Sequence, residues 1–325
     1  MTSPVAVRIE SAAPVLVTGA GGMLGRALVA ELAAAGYRNV LTPGRDELNL
    51  TDTRAVAAYM RRHRPQWVFH LASVVYGLLG NMRNQFPALA DNTLINHNVL
   101  TAAGAARVQK IFYAGSVAAY PHPYPSLPLR EDMLWLGKPH HGEYGYACAK
   151  RHALSYLEIL HEVAGIDYCY GLLTNLYGPD DRFDDSNGHV VPSLIRRLHA
   201  ARRGGGEFSV WGSGTARRDF MHARDAARAA LVGMQKVSGV MNICSGTTAT
   251  IREVASKLVE SAGFRGPVVW EADRPVGIVE RSVCNRILRA HDFSCVYDLD
   301  SGLRETWHWY ETHADSARGE RRASA

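Results

Sequence analysis

Pro14-Val15-Leu16-Val17-Thr18-Gly19-Ala20-Gly21-Gly22-Met23-Leu24-Gly25 is the stretch that decides the fold of this sequence. Its apolar first half predicts a short buried strand, and its glycines predict a tight turn that brings the backbone close to a ligand. The pattern Leu28-Val29-x-x-Leu32 then predicts a helix, whose N-terminus carries partial positive charge. This order is typical of a dinucleotide-binding Rossmann unit, with a flexible glycine loop as the alternative. The residues expected to line the dinucleotide are Gly19, Gly22, Met23, Leu24 and Gly25.

The second predicted strand, Asn39-Val40-Leu41-Thr42, bears on the choice of dinucleotide. Enzymes that use NAD often carry an acidic residue at the end of this strand, where it holds the ribose hydroxyls. This chain instead has Arg45 shortly after the strand. A guanidinium suits a 2′-phosphate, so Arg45 favours NADP(H) over NAD(H), unless it is only a loop charge.

Two further apolar runs, 67–73 and 110–116, are predicted as strands that alternate with helices. Such alternation predicts a doubly wound parallel sheet of the α/β class, with ligands at the carboxyl ends of its strands. Leu71, Ala72 and Ser73 are therefore expected beside the dinucleotide, and Ser116 at the same edge. His70 is interpreted as structural. Residues 74–90 are predicted as a loop and 92–106 as a long helix, in which the roles of two asparagines stay open.

Tyr146-x-x-x-Lys150 is the pattern in the chain that most directly indicates chemistry. On a helix the two side chains lie one turn apart on the same face. A lysine ammonium beside a phenol is expected to lower the phenol pKa from roughly 10, which makes a proton donor that works near neutral pH. With the glycine turn and Ser116, this pair forms the set of parts found in a short-chain dehydrogenase/reductase site.

The regular alternation ends near Asp180, which predicts two domains. We expect a dinucleotide-binding Rossmann domain at 13–180 and a smaller C-terminal α/β domain that binds the substrate at 181–313. Residues 219–246 are expected to pack back onto the first domain, and the Arg- and Ser-rich tail 314–325 to be disordered.

Composition excludes several other classes of protein. The chain has 325 residues and a net charge of +5, with Lys and Arg spread along it, so no nucleic-acid partner is expected. Its five cysteines lack a C-x-x-C spacing, which argues against a disulfide framework and against a zinc site, and no metal is expected. No apolar run approaches the length of a membrane span and no secretory signal is recognised, so a cytoplasmic location is expected.

From about Pro14 to His313 the chain resembles an extended short-chain dehydrogenase/reductase, and more narrowly the GDP-L-fucose synthase family. That family reduces a GDP-linked 4-keto-6-deoxy sugar at C4 with NADPH, after epimerising C3 and C5. The segments that carry the resemblance are Arg45-Asp-Glu-Leu-Asn-Leu, Thr174-Asn-Leu-Tyr-Gly-Pro, Ser186-Asn-Gly-His189-Val-Val-Pro, Arg196-Arg197 and Val210-Trp-Gly-Ser-Gly-Thr.

The resemblance implies a role for each matching residue. Ser116 would hydrogen-bond the C4 oxygen, Tyr146 would protonate it, and Lys150 would hold the ribose of the nicotinamide cofactor. His189 matches the epimerisation acid, and Asp52 matches the residue that holds the adenine amino group, although it could be only a helix N-cap. The positions implied at the substrate are Ser116, Asn175, His189, Arg197, Trp211, Arg218 and Arg281. A homodimer through helices near 92–106 and 144–162 is also implied.

Departures from the family pattern concern the epimerisation base and the cofactor. The family's catalytic cysteine is replaced by Ala118, which cannot accept a proton, and Cys148 is expected to be a core filler on another face of its helix. The family's arginine in the glycine turn is Gly21, and its lysine after the third strand is absent.

The main hypothesis is an NADPH-dependent C4 reductase of a nucleotide-linked 4-keto hexose or heptose, with a GDP substrate and with 3,5-epimerase activity lost or reduced. A nucleotide-sugar epimerase that holds NAD(P) tightly and performs no net reduction is the alternative enzyme. A non-catalytic dinucleotide-sensing protein is a third hypothesis, disfavoured by the intact Tyr146/Lys150 pair.

Overall fold

The structure is a computed structural model that describes residues 9–184, 188–273 and 277–314. Its strands, in chain order, are β1 (Val15–Thr18), β2 (Val40–Leu41), β3 (Trp67–His70), β4 (Lys110–Ser116), β5 (Asp167–Leu173), β6 (Asn175–Tyr177), β7 (Phe208–Trp211), β8 (Arg217–Arg218), β9 (Phe220–His222), β10 (Gly239–Ile243), β11 (Ala249–Thr250), β12 (Val268–Glu271) and β13 (Glu280–Arg281). Its helices are α1 (Met23–Ala34), α2 (Thr53–His63), α3 (Leu78–Arg83), α4 (Gln85–Ala105), α5 (Tyr144–Ala164), α6 (Val190–Gly204), α7 (Ala223–Lys236), α8 (Ile251–Ala262), α9 (Arg286–Ala290) and α10 (Leu299–His313).

A six-stranded parallel sheet with the order β10-β5-β4-β3-β1-β2 forms the centre of the molecule. The chain moves outward from β1 to β2 and then returns to place β3 on the other side of β1. Ligands of doubly wound sheets bind in the crevice at such a reversal, outside the carboxyl ends of the strands. Thr18 and His70 pair in register at this edge, and Ser116 ends β4 on the same side. The predicted Rossmann-type α/β fold is confirmed.

Helices cover both faces of this sheet, which explains why its strands are almost entirely apolar. On one face, residues such as Val68 and Ile111 pack with Val99 of α4 and Leu154 of α5. On the other face, Phe69 and Phe112 pack with residues of α1 and α7, including Leu28 and Ala226. The two cores hold the strand ends rigidly at one edge of the sheet.

The second half of the chain builds a smaller layer with its own core. β7 pairs with β12, β8 lies between β11 and β13, and α6, α8 and α10 enclose apolar residues that include Leu198, Leu258 and Trp307. Strand β10 returns to the six-stranded sheet beside β5. The boundaries of the two domains stay a prediction, and the tail from residue 315 lies outside the described residues.

Two local predictions were wrong because tertiary contacts outweigh composition. Residues 74–90 are not a loop: they contain α3 and the first residues of α4, where Pro87 falls in the first turn, a position that tolerates proline. The composition of Asn175-Leu176-Tyr177-Gly178-Pro179 predicts a turn, yet its first three residues form β6 because they pair in parallel with β9.

Across the described parts of the chain, no helix combines the length and the apolar character that crossing a membrane requires.

Candidate active site

The glycine turn between β1 and α1 leaves no space for side chains at two of its positions. Gly19 has a φ of +75°, and a Cβ placed on it would lie 2.7 Å from the Ala72 backbone nitrogen. A Cβ on Gly25 would lie 2.2 Å from the Gly19 carbonyl oxygen. No side chain caps the start of α1, where Gly22 is the N-cap, so its first N–H groups are available to an anion. Gly21, where the family has arginine, faces open space.

The two residues predicted at the adenosine end lie between β2 and α2. Arg45 is exposed in the turn that follows β2. Asp52 is the N-cap of α2, and its Oδ1 accepts hydrogen bonds from the backbone N–H groups of Arg54 at 2.9 Å and Ala55 at 3.0 Å. The structure therefore shows the capping role, and contact of Asp52 with an adenine stays a prediction.

Asn92, which sequence reasoning did not single out, holds the segment that follows β3. Its Oδ1 accepts hydrogen bonds from the Ser73 hydroxyl and the Val74 backbone N–H, both at 2.7 Å. Its Nδ2 donates to the carbonyls of Val74 at 2.9 Å and Ala88 at 2.7 Å. The amide is buried and satisfied, so it fixes Ser73 beside the carboxyl end of β3.

Tyr146 is buried near the N-terminus of α5, with its phenol near the side chains of Ser116 and Ser73. Burial raises the pKa of Tyr146, the hydrogen bonds with the two serines lower it, and the Glu143 carboxylate raises it. The net pKa lies above the usual value, so the phenol keeps its proton at neutral pH. The expectation that Lys150 lowers this pKa was wrong for this geometry.

The surroundings of Lys150 differ from those of a solvent-exposed lysine. Its Nζ donates a hydrogen bond to the Ala114 carbonyl at 2.7 Å and lies 5.3 Å from the centroid of the Tyr146 ring. Burial lowers the pKa of Lys150 to about 7. Burial thus favours the neutral form of Lys150, and burial of the phenol itself is the largest effect on the pKa of Tyr146.

Behind this pair lies a closed polar network. His70 bonds the Thr18 hydroxyl at 2.8 Å and the Asn96 side chain at 3.2 Å, and the Tyr113 hydroxyl donates to Asn96 at 3.1 Å. Burial, with Lys150 nearby, lowers the pKa of His70 to about 3, so the ring is neutral. These contacts agree with the structural interpretation of His70 and give Asn96 a structural role as well.

Ala118 is buried against Tyr146 and Ala88, so position 118 adjoins the proposed proton donor. Cys148 was expected to fill the core, and this was wrong. It is half-buried in an apolar groove on the outer surface of α4 and α5, because this face of α5 points away from the sheet. The groove is lined by Phe86, Leu89, Ala90, Thr93, Leu94, His97, Cys148, His152 and Tyr156.

Helix α6 and strand β7 bring two of the predicted substrate residues together. The Arg197 guanidinium lies 4.9 Å from the centroid of the Trp211 ring and donates to the Ser209 carbonyl at 3.0 Å. His189 is the N-cap residue of α6. The residue as a whole is exposed, yet desolvation of its ring lowers the pKa of His189, and the Glu143 carboxylate opposes this shift. Asn175 donates to the Asp219 carbonyl at 2.9 Å.

Arg218 and Arg281 pair in register on β8 and β13, and of these two only Arg281 forms an ion pair with a carboxylate of the described residues. Arg281 Nη2 donates to Glu143 Oε2 at 2.6 Å, and its Nε donates to the Tyr124 hydroxyl at 2.6 Å. Burial opposes charge on Arg281, but Glu143 and Tyr124 outweigh it and raise the pKa of Arg281. Arg218 donates only to backbone carbonyls within the described residues, and burial lowers its pKa to about 10.

Glu143 is the main residue of the site that sequence reasoning missed. It stands three residues before Tyr146, but its partner Arg281 is 138 positions further along the chain. Nothing local signals such a pair. In 9–184, 188–273 and 277–314, no group of His, Cys, Asp and Glu has an arrangement suited to a metal ion.

Comparisons with known proteins agree with this architecture. The model of the NAD dependent epimerase/dehydratase family matches residues 15–244. The chain is 33% identical to the GDP-L-fucose synthase of Escherichia coli over 94% of this chain and 98% of that protein. It is similar to the NADP-bound structure of a GDP-L-fucose synthetase from Naegleria fowleri (TM-score 0.90, 27% identity, 97% and 98% coverage). It is also similar to a GDP-6-OMe-4-keto-L-xylo-heptose reductase from Campylobacter jejuni (TM-score 0.88, 25% identity, 94% and 99% coverage).

The match to the family model spans β1 to β10 and thus the whole six-stranded sheet, including the glycine turn, Ser116 and the Tyr146/Lys150 pair. The relatives extend the similarity over most of the remaining chain. As the resemblance predicted, this chain belongs to the NAD dependent epimerase/dehydratase family.

Proposed function

We propose that the chain is an NADPH-dependent reductase that acts at C4 of a GDP-linked 4-keto hexose or heptose, with its 3,5-epimerase activity lost or reduced. The observation that carries the proposal is the position of Tyr146. Its protonated phenol is buried near the side chains of Ser116 and Ser73, at the edge of the sheet where the glycine turn begins. The relatives named above, which are GDP-sugar synthases and a 4-keto-heptose reductase, support the class of an NADP-dependent oxidoreductase and the substrate class.

The residues at the glycine turn fit a nicotinamide dinucleotide. Gly19 and Gly25 leave space only for backbone, and the uncapped start of α1 offers N–H groups to a diphosphate. Arg45 would bind the 2′-phosphate, and Lys150 would hold the nicotinamide ribose. The remaining backbone expected to line the cofactor is that of Gly22, Met23, Leu24, Leu71, Ala72 and Ser73, with Asp52 at the adenine end. When bound, NADPH supplies the hydride of the reduction.

The protein's part of the reaction is to bind, orient and protonate the substrate. Ser116 would donate a hydrogen bond to the C4 carbonyl oxygen and hold it near the phenol. As negative charge develops on that oxygen, Tyr146 would transfer its proton, because an alkoxide is a much stronger base than a phenolate. The raised pKa of Tyr146 keeps this proton in place until the charge develops.

The groups proposed to bind the nucleotide lie on the smaller layer. Arg197 and Arg218 would bind the diphosphate, since a guanidinium fork matches phosphate oxygens, and Trp211 would contact the base. Arg281 would contribute mainly through its contact with Glu143, because that carboxylate balances its charge. His189 would bind the sugar by a hydrogen bond.

The proposal is tested with the purified full chain and a panel of freshly prepared 4-keto sugars linked to GDP or to other nucleoside diphosphates. We expect NADPH absorbance at 340 nm to fall with the 4-keto substrate, and mass spectrometry to show a product that is heavier by two hydrogens. The alternative, an epimerase, predicts an isomeric product without consumption of NADPH. That outcome would replace the proposed function, because the Ser/Tyr/Lys set serves both reactions.

Arg45→Ala is expected to weaken the binding of NADPH much more than that of NADH. Only NADPH carries the 2′-phosphate that the guanidinium would bind, and a charge-assisted hydrogen bond contributes on the order of 1.5–3 kcal/mol, or roughly 10- to 150-fold in Kd. Fluorescence titration of both cofactors measures the ratio. Arg38→Ala, an exposed arginine that contacts Ser11, is the matched control. Equal effects of Arg45→Ala on both cofactors would place Arg45 away from the ribose.

We also propose a homodimer through the outer faces of α4 and α5. These faces expose large apolar side chains, among them Phe86 at 77% and Ile159 at 57% exposure, around the groove that contains Cys148. Soluble monomers seldom leave such a continuous apolar surface uncovered.

Phe86→Lys combined with Ile159→Glu is expected to convert the dimer to a monomer, because both charges would be desolvated at the interface. Light scattering after size exclusion measures the molar mass. Val296→Lys is the control, since Val296 is equally exposed but lies outside these helices. A wild-type chain that is monomeric at micromolar concentration would contradict the proposed dimer.

A further inference from the structure

The carboxylate of Glu143 lies where the two layers of the molecule meet, and no role described above uses it directly. Glu143 precedes Tyr146 by three residues and therefore belongs to the part of the chain that carries the proposed proton donor. Its partner Arg281 lies on β13, in register with Arg218 on β8. The ion pair thus joins the catalytic side to the strands proposed to bind the diphosphate.

Electrostatic effects of Glu143 agree with a central position. Its negative charge raises the pKa of Tyr146 and opposes the lowering of the pKa of His189 and of Arg218. The geometry agrees with these effects, because Glu143 stands three residues before Tyr146 and its partner Arg281 pairs in register with Arg218. These are the groups expected to surround the sugar and its diphosphate.

The carboxylate also has hydrogen-bonding capacity left over. An ionised carboxylate accepts about four hydrogen bonds. Within the described residues the Glu143 carboxylate accepts one, from Arg281 to Oε2, which leaves Oε1 without a protein donor. The side chain is 15% exposed, and Oε1 is not completely enclosed by protein atoms. Oε1 is therefore open to solvent and to a ligand.

We propose that Glu143 is a specificity-determining residue that accepts a hydrogen bond from a sugar hydroxyl close to the reacting C4, either the hydroxyl on C3 or the hydroxyl on C6. The inference rests on the proposed C4 reduction. A hydroxyl donor would satisfy Oε1 with a short charge-assisted hydrogen bond. A hydrogen or methyl group in its place would displace water from the carboxylate without donating a hydrogen bond to it. The chain should therefore prefer the hydroxylated 4-keto sugar over the matching deoxy sugar.

The role of Arg281 in this arrangement is to hold the carboxylate. Its Nη2 donates to Oε2 at 2.6 Å and balances the charge, so Oε1 is held in one orientation, whereas Tyr124 contacts only the Nε of Arg281. This preorganisation matters because a site with a fixed polar group rejects analogues that leave the group unpaired. The competing explanation is that Glu143 only positions Arg281.

The test combines one substitution in the protein with one change in the substrate, in the manner of a double-mutant cycle. Wild type and Glu143→Gln are assayed with NADPH and pairs of GDP-linked 4-keto sugars that differ by a single hydroxyl, one pair at C3 and one at C6. For one pair, we expect wild type to prefer the hydroxylated member in kcat/KM by about tenfold or more, and Glu143→Gln to lose most of this preference. For the other pair, the ratio of the two kcat/KM values should be the same in wild type and in Glu143→Gln.

Three controls separate specificity from folding and from the positioning of Arg281. Thermal melting and NADPH titration check that each variant is folded. Glu143→Asp keeps the negative charge but moves the carboxylate away from the sugar by the length of one methylene group. This variant should therefore lose the preference for the hydroxylated sugar, and it tests the inference even if Glu143→Gln does not fold. Tyr124→Phe removes the other contact of Arg281 and should change kcat/KM equally for both members of each pair.

The outcomes are distinct. If both pairs keep the same preference in wild type, Glu143→Gln and Glu143→Asp, the inference is wrong while the C4 reductase stands. If Tyr124→Phe abolishes the preference to the same extent as Glu143→Gln, Glu143 acts only through Arg281, and the inference is also wrong. If wild type consumes no NADPH with any 4-keto sugar, the proposed function itself fails.

Discussion

Tyr146→Phe is expected to lower kcat for the proposed reduction by a factor on the order of 10² or more, the usual range for loss of a general acid. The substitution removes one oxygen atom, which is near the Ser116 and Ser73 side chains, and leaves the buried ring in place. Because the glycine turn and α1 are untouched, affinity for NADPH should stay within a few-fold of wild type. Stopped-flow turnover at 340 nm and fluorescence titration measure the two quantities.

A second buried tyrosine provides the matched control for this experiment. Tyr170 is also buried, stacks on Tyr113, and donates a hydrogen bond from its hydroxyl to the Lys150 carbonyl at 3.1 Å. Tyr170→Phe also deletes one phenolic oxygen and should cost about 1 kcal/mol of stability, but leave turnover within a few-fold of wild type. Near-normal turnover in Tyr146→Phe, or an equal loss in both variants, would remove Tyr146 from the mechanism.

Turnover of a 4-keto sugar in D₂O is expected to leave C3 and C5 largely unlabelled while C4 is reduced. Epimerisation at these carbons needs a base to remove the proton next to the carbonyl and an acid to return one to the other face. His189 supplies at most one of these groups, and the Ala118 methyl supplies none. Deuterium at C3 or C5, incorporated at the rate of reduction, would mean that another residue or a water held by His189 is the base.

Ala118→Cys is the complementary experiment, since position 118 is buried directly beside Tyr146. A thiolate there can act as a base, so this variant should restore measurable exchange at C3 or C5. Ala118→Ser is the control, because a hydroxyl of similar size does not ionise near neutral pH. NMR of the isolated product locates the label. Equal exchange in the two variants would show that the thiolate is not responsible.

The pKa values at the site show how far a motif alone can be interpreted. The spacing of Tyr146 and Lys150 correctly predicts that their side chains share one face of a helix. The same spacing suggests an ammonium that acidifies the phenol, whereas burial raises the pKa of Tyr146 and lowers that of Lys150 to about 7. Desolvation depends on every element packed around the pair, and a five-residue pattern contains none of that information.

Several properties of this protein follow from short stretches of its sequence. The glycine turn at 19–25, the helix with Tyr146 and Lys150, and the alternating apolar runs predicted the Rossmann-type fold and the family, and both are confirmed. These features can be predicted from sequence because each depends on local geometry. They are the positive φ at Gly19, the helical spacing, and the run of apolar residues that a strand buried on both faces requires.

The remaining features were decided by contacts between distant parts of the chain. Strand β6 exists because β9 pairs with it, and the Ser73 hydroxyl is held by Asn92 of α4. The Glu143–Arg281 ion pair joins residues 138 positions apart, and it balances the charge of one of the two arginines that pair in register on β8 and β13. Composition and periodicity describe how a segment behaves with its neighbours in sequence. The partner of a buried charge is chosen only when the folded layers bring two such segments together.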